Sequence, residues 1–229
     1  MSAKRLVAYV VALAGVMIGL AAIERYTEAG LRLLVSSPLA RTLGTSEYSV
    51  VEWLQVAALV VIAALAWLAM RLSRTQRPLA AMGLAVAAAA FCRELDLFLD
   101  AYLFDHAWQV LVAIIAVAAI VFAVRHRRAL IASWARAVQE PPMVLMVLGV
   151  SLLLVFAPVL GSEGLWQSLM GDAYVRIAKI AAEELAELAG YWLWLIGQIE
   201  FTLSCRWQHA TPAAERDRRR GERRRRKRK

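Results

Sequence analysis

Residues 78–97, PLAAMGLAVAAAAFCRELDL, decide how this chain folds. The stretch is apolar as far as Cys92, but it is too short to cross a bilayer unless it extends through Arg93, Glu94 and Asp96. A spanning helix needs about 20 residues to cover a hydrocarbon core of roughly 30 Å. Counted from Arg77, Arg93 and Glu94 lie about 24–26 Å along such a helix. Four other helices meet their first polar group about 28 Å from their basic anchors: Glu24 from Arg5, Glu52 from Arg71, His106 from Arg125 and Glu187 from Arg206. Arg93 and Glu94 therefore sit roughly one turn deeper than that level. A charge in hydrocarbon costs roughly 2.5–3.5 kcal/mol at mid-depth and less near the edge, and it persists when paired inside a bundle or facing water. Gly83, Ala85, Ala88 and Ala89 keep the segment slender, which suits a central position among other helices.

Composition makes a membrane the setting. The chain has 229 residues, 61% hydrophobic and 20% charged, with a mean hydropathy of +0.56. Soluble domains hold roughly 45–50% apolar residues, so an ordinary soluble enzyme, a secreted disulfide scaffold and a disordered polymer are all excluded. Segments 6–23, 50–70, 106–124 and 143–160 each read as a spanning helix, and 78–97 and 187–205 complete a set of six. The expected architecture is all-α: one polytopic bundle of six transmembrane helices over residues 1–210, then a disordered Arg-rich tail over 211–229. Lys4, Arg5 and the small residues Leu20-Ala21-Ala22 also fit a signal peptide. The first apolar run is longer than the usual 7–15 residues of such a leader, so an uncleaved helix is the preferred reading; cleavage would leave five spans.

Basic residues set the orientation. With both termini cytoplasmic, 21 of the 27 Lys and Arg lie on the cytoplasmic side, and 12 of the 18 acidic residues lie outside. This is the pattern of a bacterial inner-membrane protein with the positive residues inside. Between spans, residues 24–49 form either a short interfacial helix or a loop over the outer helix ends. Leu130, Ile131, Trp134 and Val138 recur at helical spacing with Arg127, Arg128 and Arg136 elsewhere, as in a helix lying on anionic lipid. From Arg216 the tail carries eleven basic residues. Beside a membrane, such a run points to anionic headgroups and topology locking rather than nucleic acid. A protein partner or a second copy of the chain remains open as an additional partner. Cys92 and Cys205 fall near opposite faces, too far apart for a disulfide, and both read as packing residues.

The candidate chemistry lies near the outer helix ends. Glu183 and Glu187 share a helix face, with Glu184 beside them. Below Glu187 runs a seam of Tyr191, Trp194, Gln198 and Thr202, which should face protein or water rather than lipid. Glu52 and Gln55 share a face of the second span. Arg93 can reach Asp96 along its own helix, whereas Glu94 needs a partner from another. Glu200 is a second, more isolated polar point near the cytoplasmic edge. Three readings of the set Glu52, Arg93, Glu94, Asp96, Glu183 and Glu187 compete. The carboxylates converge to bind a cation, with oxygen ligands favouring Ca²⁺, Mg²⁺ or Mn²⁺ and His106 available for a transition metal. Alternatively they take and release protons during transport of a small solute, or they form a structural ion-pair network around Arg93 in a membrane complex. The identity of any metal or cofactor is unknown from the sequence.

The short motifs E-W-L at Glu52–Leu54, R-E-L-D at Arg93–Asp96 and E-E-L-A-E-L-A-G at Glu183–Gly190 resemble those of uncharacterised bacterial multi-pass inner-membrane proteins. The resemblance implies location and a six-helix architecture, and no activity. Membrane hydrolases of the ceramidase and adiponectin-receptor type are similar in being polytopic, which makes a metal-dependent hydrolase a further alternative. They use several histidines at helix ends, however, and this chain has three His in all. Nucleophile elbows, phosphate loops and H-E-x-x-H motifs are lacking, and an enzyme is the less favoured reading. The orientation has a direct test. A green fluorescent protein fused after Lys229 should fluoresce, and alkaline phosphatase fused within residues 24–47 or at Gly171 should be active; the reverse pattern would invert the topology.

Overall fold

The computed structural model describes residues 49–226, with Arg5 and residues 7–9, 11, 12, 15, 18 and 19 of the first segment; side chains are described through Trp207. The first-segment residues are helical, and the 24–48 connection lies outside the described residues. Every regular element from residue 49 onward is helical. In chain order they are α1 (Val50–Leu72), α2 (Arg77–Glu94), α3 (Asp96–Tyr102), α4 (Ala107–Arg125), α5 (Arg127–Ala137) and α6 (Pro141–Ser151). A π-helical turn (Leu152–Phe156) leads into α7 (Ala157–Leu160), and α8 (Glu163–Met170) and a 3₁₀ turn (Gly171–Ala173) precede α9 (Arg176–Arg226). Among the described residues, three helices are long and apolar enough to cross a membrane: Val50–Leu72, Ala107–Arg125 and the continuous run Pro141–Leu160. Charge keeps α2 out of that set, since Arg77, Arg93 and Glu94 fall within its bounds.

Local sequence explains the element boundaries. Ser49 caps α1: its Oγ accepts from the Glu52 amide at 3.1 Å, and the Glu52 carboxylate accepts from the Ser49 amide at 3.1 Å. That reciprocal pair satisfies two of the amides a helix start leaves without partners. The π turn precedes Pro158, whose ring cannot follow an ordinary α-helical carbonyl; widening the turn relieves that conflict. His106 stands in the left-handed region (φ 66°) and turns the chain into α4.

The bundle is built around α9. Between Glu187 and Cys205 its buried residues lie on every side, including Leu188, Tyr191, Trp194, Ile196, Gln198, Glu200, Phe201 and Cys205. Its extensive contacts are with α1 and α6, while α2 packs on α1 and α4. The third and sixth spans do meet, but through the Arg93 and Glu94 side chains rather than through extensive helix contact. The second span, α1, stands between much of α2 and α9, contributing Ala58, Leu59 and Ile62 to a core with Ala87, Tyr191, Trp194 and Leu195. The third span is also broken: α2 ends at Glu94, Leu95 leaves helical geometry (φ −106°, ψ 22°), and α3 begins at Asp96. Trp67 is half exposed, with the Arg71 guanidinium 4.9 Å over its ring.

The α6–α9 contact depends on small residues. A Cβ at Gly149 would lie 2.5 Å from the Gly190 carbonyl oxygen and 2.7 Å from the Trp194 amide nitrogen. One at Gly190 would lie 2.8 Å from Leu153 Cγ and 2.9 Å from the Gly149 carbonyl oxygen. In lipid, helices associate through close van der Waals packing rather than hydrophobic burial, so such approach is a main source of stability. Beyond the bundle, α9 continues without a break to Arg226, where the sequence reading expects a disordered tail from residue 211. Alanine and arginine in that stretch are strong helix formers, and they extend a helix already nucleated by the bundle.

These contacts make Gly190→Ala costly. It should lower stability by about 1–3 kcal/mol, as overpacking does, and reduce the thermal midpoint of the detergent-purified protein. Gly164→Ala, where an added Cβ meets no atom within 4 Å, should leave that midpoint unchanged or slightly raised.

Candidate acidic site and polar seam

Arg93, at the last turn of α2, reaches two carboxylates. Its Nη1 lies 2.7 Å from Glu94 Oε1 and its Nη2 lies 2.9 Å from Glu187 Oε1 on α9. The same Glu94 oxygen accepts a 2.6 Å hydrogen bond from the Tyr191 hydroxyl, one turn further along α9. Two bonds therefore tie α2 to α9 at the level where the sequence places charge in the membrane. Both carboxylates are nearly buried, with side-chain exposures of 7% and 6%, while the arginine is 52% exposed. Charge-assisted bonds of this kind are short and about twice as strong as neutral ones.

A second pair lies alongside. Gln55, fully buried on α1, donates through Nε2 to Glu184 Oε2 at 3.0 Å and to the Glu184 carbonyl at 3.3 Å. Its Oε1 is buried and has no hydrogen-bond partner among the described residues. Glu184 in turn feels the charges of Glu187, Glu52 and Glu94. Glu52, though committed to the α1 cap, also shares a cavity of about 60 Å³ with Glu94, walled by Trp53, Val56, Leu97 and Phe98. Four glutamates from three helices thus lie within electrostatic reach of one another, and two of them, Glu94 and Glu187, bond to Arg93.

The other expected members lie apart. Asp96 does not reach Arg93. The break at Leu95 turns it away, and its carboxylate accepts from the Leu97 amide at the start of α3, 2.7 Å away. Glu183 pairs with Lys179 at 3.0 Å on its own helix and lies close against Gly161. Among the described residues no three His, Cys, Asp or Glu side chains group closely enough to hold a metal ion. Of the expected set, Glu94 and Glu187 meet at Arg93, while Asp96 and Glu183 bond elsewhere. Cys92 and Cys205 are free thiols.

Below the cluster, Tyr191, Trp194, Gln198 and Thr202 are 1–5% exposed. The Thr202 hydroxyl lies 2.8 Å from the Gln198 carbonyl and 3.2 Å from the Leu65 carbonyl of α1. At the opposite end Glu200, only 4% exposed, accepts 2.7 Å from the Tyr9 hydroxyl and faces Arg5 Nη1 at 3.3 Å. The polar point that appears isolated in sequence is thus paired by the first helix.

Sequence reasoning missed two features, the Gln55–Glu184 pair and the anchoring of Glu94 by Tyr191. Both were within reach, because Gln55 shares a helix face with Glu52 and Tyr191 lies one turn below Glu187. The partners on different helices are what spacing along one helix does not reveal. Compared with protein-family models, with curated proteins and with solved structures, the chain matches none.

A double-mutant cycle checks the bridge. Arg93→Gln and Glu187→Gln should each destabilise, with a coupling of about 0.5–3 kcal/mol in unfolding experiments. Tyr191→Phe should cost about 1.5–3 kcal/mol, because the bond it removes ends on a charged acceptor.

Proposed function

We propose that the chain is a six-span bacterial inner-membrane protein with both termini cytoplasmic, whose acidic end takes up and releases a proton. The buried Oε1 of Gln55 carries the reading. It is an acceptor without a donor, held against a carboxylate in a cluster of four acids and one base. An excess of negative charge in a low-dielectric site is offset by a proton, and a protonated carboxyl supplies the missing donor. The polar seam and the Glu200–Tyr9–Arg5 group lie along the same central helix toward the opposite end, which supports coupling the cluster to passage of an ion.

A second reading rests on the Arg93 bridge. Because α2 and α9 are held together here by side chains, the charges also serve as a structural clamp of the kind expected in an assembly partner. The histidines and carboxylates described above give a hydrolase no comparable support.

The two readings differ in their dependence on pH. A folded cluster holding a proton that the unfolded chain releases loses stability as pH rises, by about 1.4 kcal/mol per pH unit per proton. Thermal unfolding of the full chain between pH 5 and 9 should show that decline, and Glu184→Gln should flatten it while the protein still folds. Proteoliposomes carrying a lumenal pH dye should report ion-coupled proton movement that Glu94→Gln and Glu187→Gln abolish. A flat pH profile, no response to Mg²⁺ or Ca²⁺ and no flux would leave the clamp as the role.

A further inference from the structure

Helix α5 joins two of the helices long and apolar enough to cross a membrane. α4 ends at Arg125 and α5 starts at Arg127; α5 ends at Ala137 and α6 starts at Pro141. The joining residues, 126 and 138–140, each reach about 3.5 Å at most. Both ends of α5 therefore stay at the level where α4 and α6 leave the apolar layer, and its 11 residues, about 16 Å of helix, run along that level.

Docking fixes how α5 is rotated. Ser133, fully buried, donates 2.6 Å to the Thr75 carbonyl, and Arg136 Nη2 donates 3.0 Å to the same oxygen. Ala137 packs with Ala80 of α2, Met143 of α6 and Phe201 of α9. These contacts hold α5 against the turn between α1 and α2 and leave Ile131, Trp134 and Val138 67%, 45% and 43% exposed. Spacings of three and four residues put the three on one side of the helix, and Arg127 stands on the same side one turn before Ile131. An apolar side with an indole, ending in an arginine, matches the boundary between acyl chains and headgroups rather than water.

Charge selects the kind of lipid. The rim formed by α5 and the α1–α2 turn carries Arg71, Arg74, Arg77, Arg125, Arg127 and Arg128, all exposed. The sequence has no Asp or Glu between Glu52 and Glu94 or between Asp105 and Glu140. Among the described residues none of the six arginines pairs with a carboxylate. The acids with described side chains at this end are Glu140, at the start of α6, and Glu200, which is buried and faces Arg5, so most of the rim's charge stays uncompensated. Arg71, over the Trp67 ring, and Arg125, in the last turn of α4, set the rim at headgroup level.

We infer that α5 and the α1–α2 turn form one seat for an anionic lipid leaflet. α5 lies flat in the headgroup layer, with Ile131, Trp134 and Val138 at the acyl boundary and the six arginines against lipid phosphates. The inference rests on α4 and α6 crossing a bilayer and is independent of proton chemistry at the acidic end. An anionic glycerol phospholipid holds α5 more firmly than a zwitterionic choline phospholipid of the same chain length.

Thiol labelling of the full-length protein in nanodiscs tests the seat, using a membrane-impermeant maleimide, with the wild-type protein as the baseline for Cys92 and Cys205. In phosphatidylglycerol discs Ile131→Cys and Val138→Cys should label slowly, and Ala132→Cys, exposed on another side of α5, should label quickly. In phosphatidylcholine discs the labelling of Ile131→Cys should quicken. Adding Arg127→Gln and Arg128→Gln should quicken it in phosphatidylglycerol too, by up to about fivefold per arginine, the equivalent of about 1 kcal/mol each, with an unchanged thermal midpoint. Labelling of Ile131→Cys and Val138→Cys as fast as Ala132→Cys in phosphatidylglycerol would place α5 in water and overturn the inference. Protection that neither lipid charge nor the two arginine substitutions alter would overturn it as well, leaving an apolar contact without charge selection. Protection gained only on adding RNA, whatever the lipid, would assign the arginines to a soluble polyanion and overturn the lipid seat.

Discussion

The arrangement depends on one guanidinium. Arg93 sits where a short, alanine-rich helix runs out of apolar length, and it bonds to a carboxylate on its own helix and to another on α9. Without those partners the charge would lie near hydrocarbon with nothing to offset it. With them, the end of α2 is fixed to the central helix across a gap that backbone packing does not close. The cost of bringing Arg93 into the bundle is offset only because Glu187 and Tyr191 project from α9 at the matching height. The position of α2 and the register of α9 are therefore mutually determined.

Around that bridge the bundle separates into two chemically different ends. Near α1's start, acids outnumber bases, and Gln55 shows that neutral groups have been drawn into the same network. At the other end the paired Glu200 and the docked α5 create polar recesses next to an apolar stripe. The helix joining the two ends is lined by Tyr191, Trp194, Gln198 and Thr202, all buried. Hydrogen bonding to carbonyls on α9 and α1 keeps the lower part of that line satisfied within the protein, which is how polar groups persist at membrane depth.

Much of the all-helical plan was legible in the sequence, because long apolar runs bounded by basic and acidic residues specify helix ends directly. Val50–Leu72, Ala107–Arg125 and Pro141–Leu160 have the length and hydropathy a spanning helix requires, and the amphipathic spacing around Trp134 gave a real helix in α5. The buried faces of Tyr191 and Gln198 also follow from spacing along one helix. Neighbours do not. Spacing along α2 suggested Arg93 with Asp96, but a break at Leu95 separates them, a local backbone event that periodicity cannot register. Likewise, the small residues of α2 suggested a central place among the helices, whereas the glycines that permit the closest approach lie on α6 and α9. Tertiary partnership depends on which small residues face each other, and one sequence read linearly holds only half of each such pair.

The Gly149–Gly190 crossing has a mechanical consequence. Where two helix backbones touch with no side chains between them, there is no soft layer to slide on, so α6 and the middle of α9 form a single stiff unit. By contrast, among the residues of α4 only Ala107 is buried, and its extensive contact is with α2. On that flank α4 bears on the rigid pair through α2, whose end is tied to α9 by the Arg93–Glu187 bond.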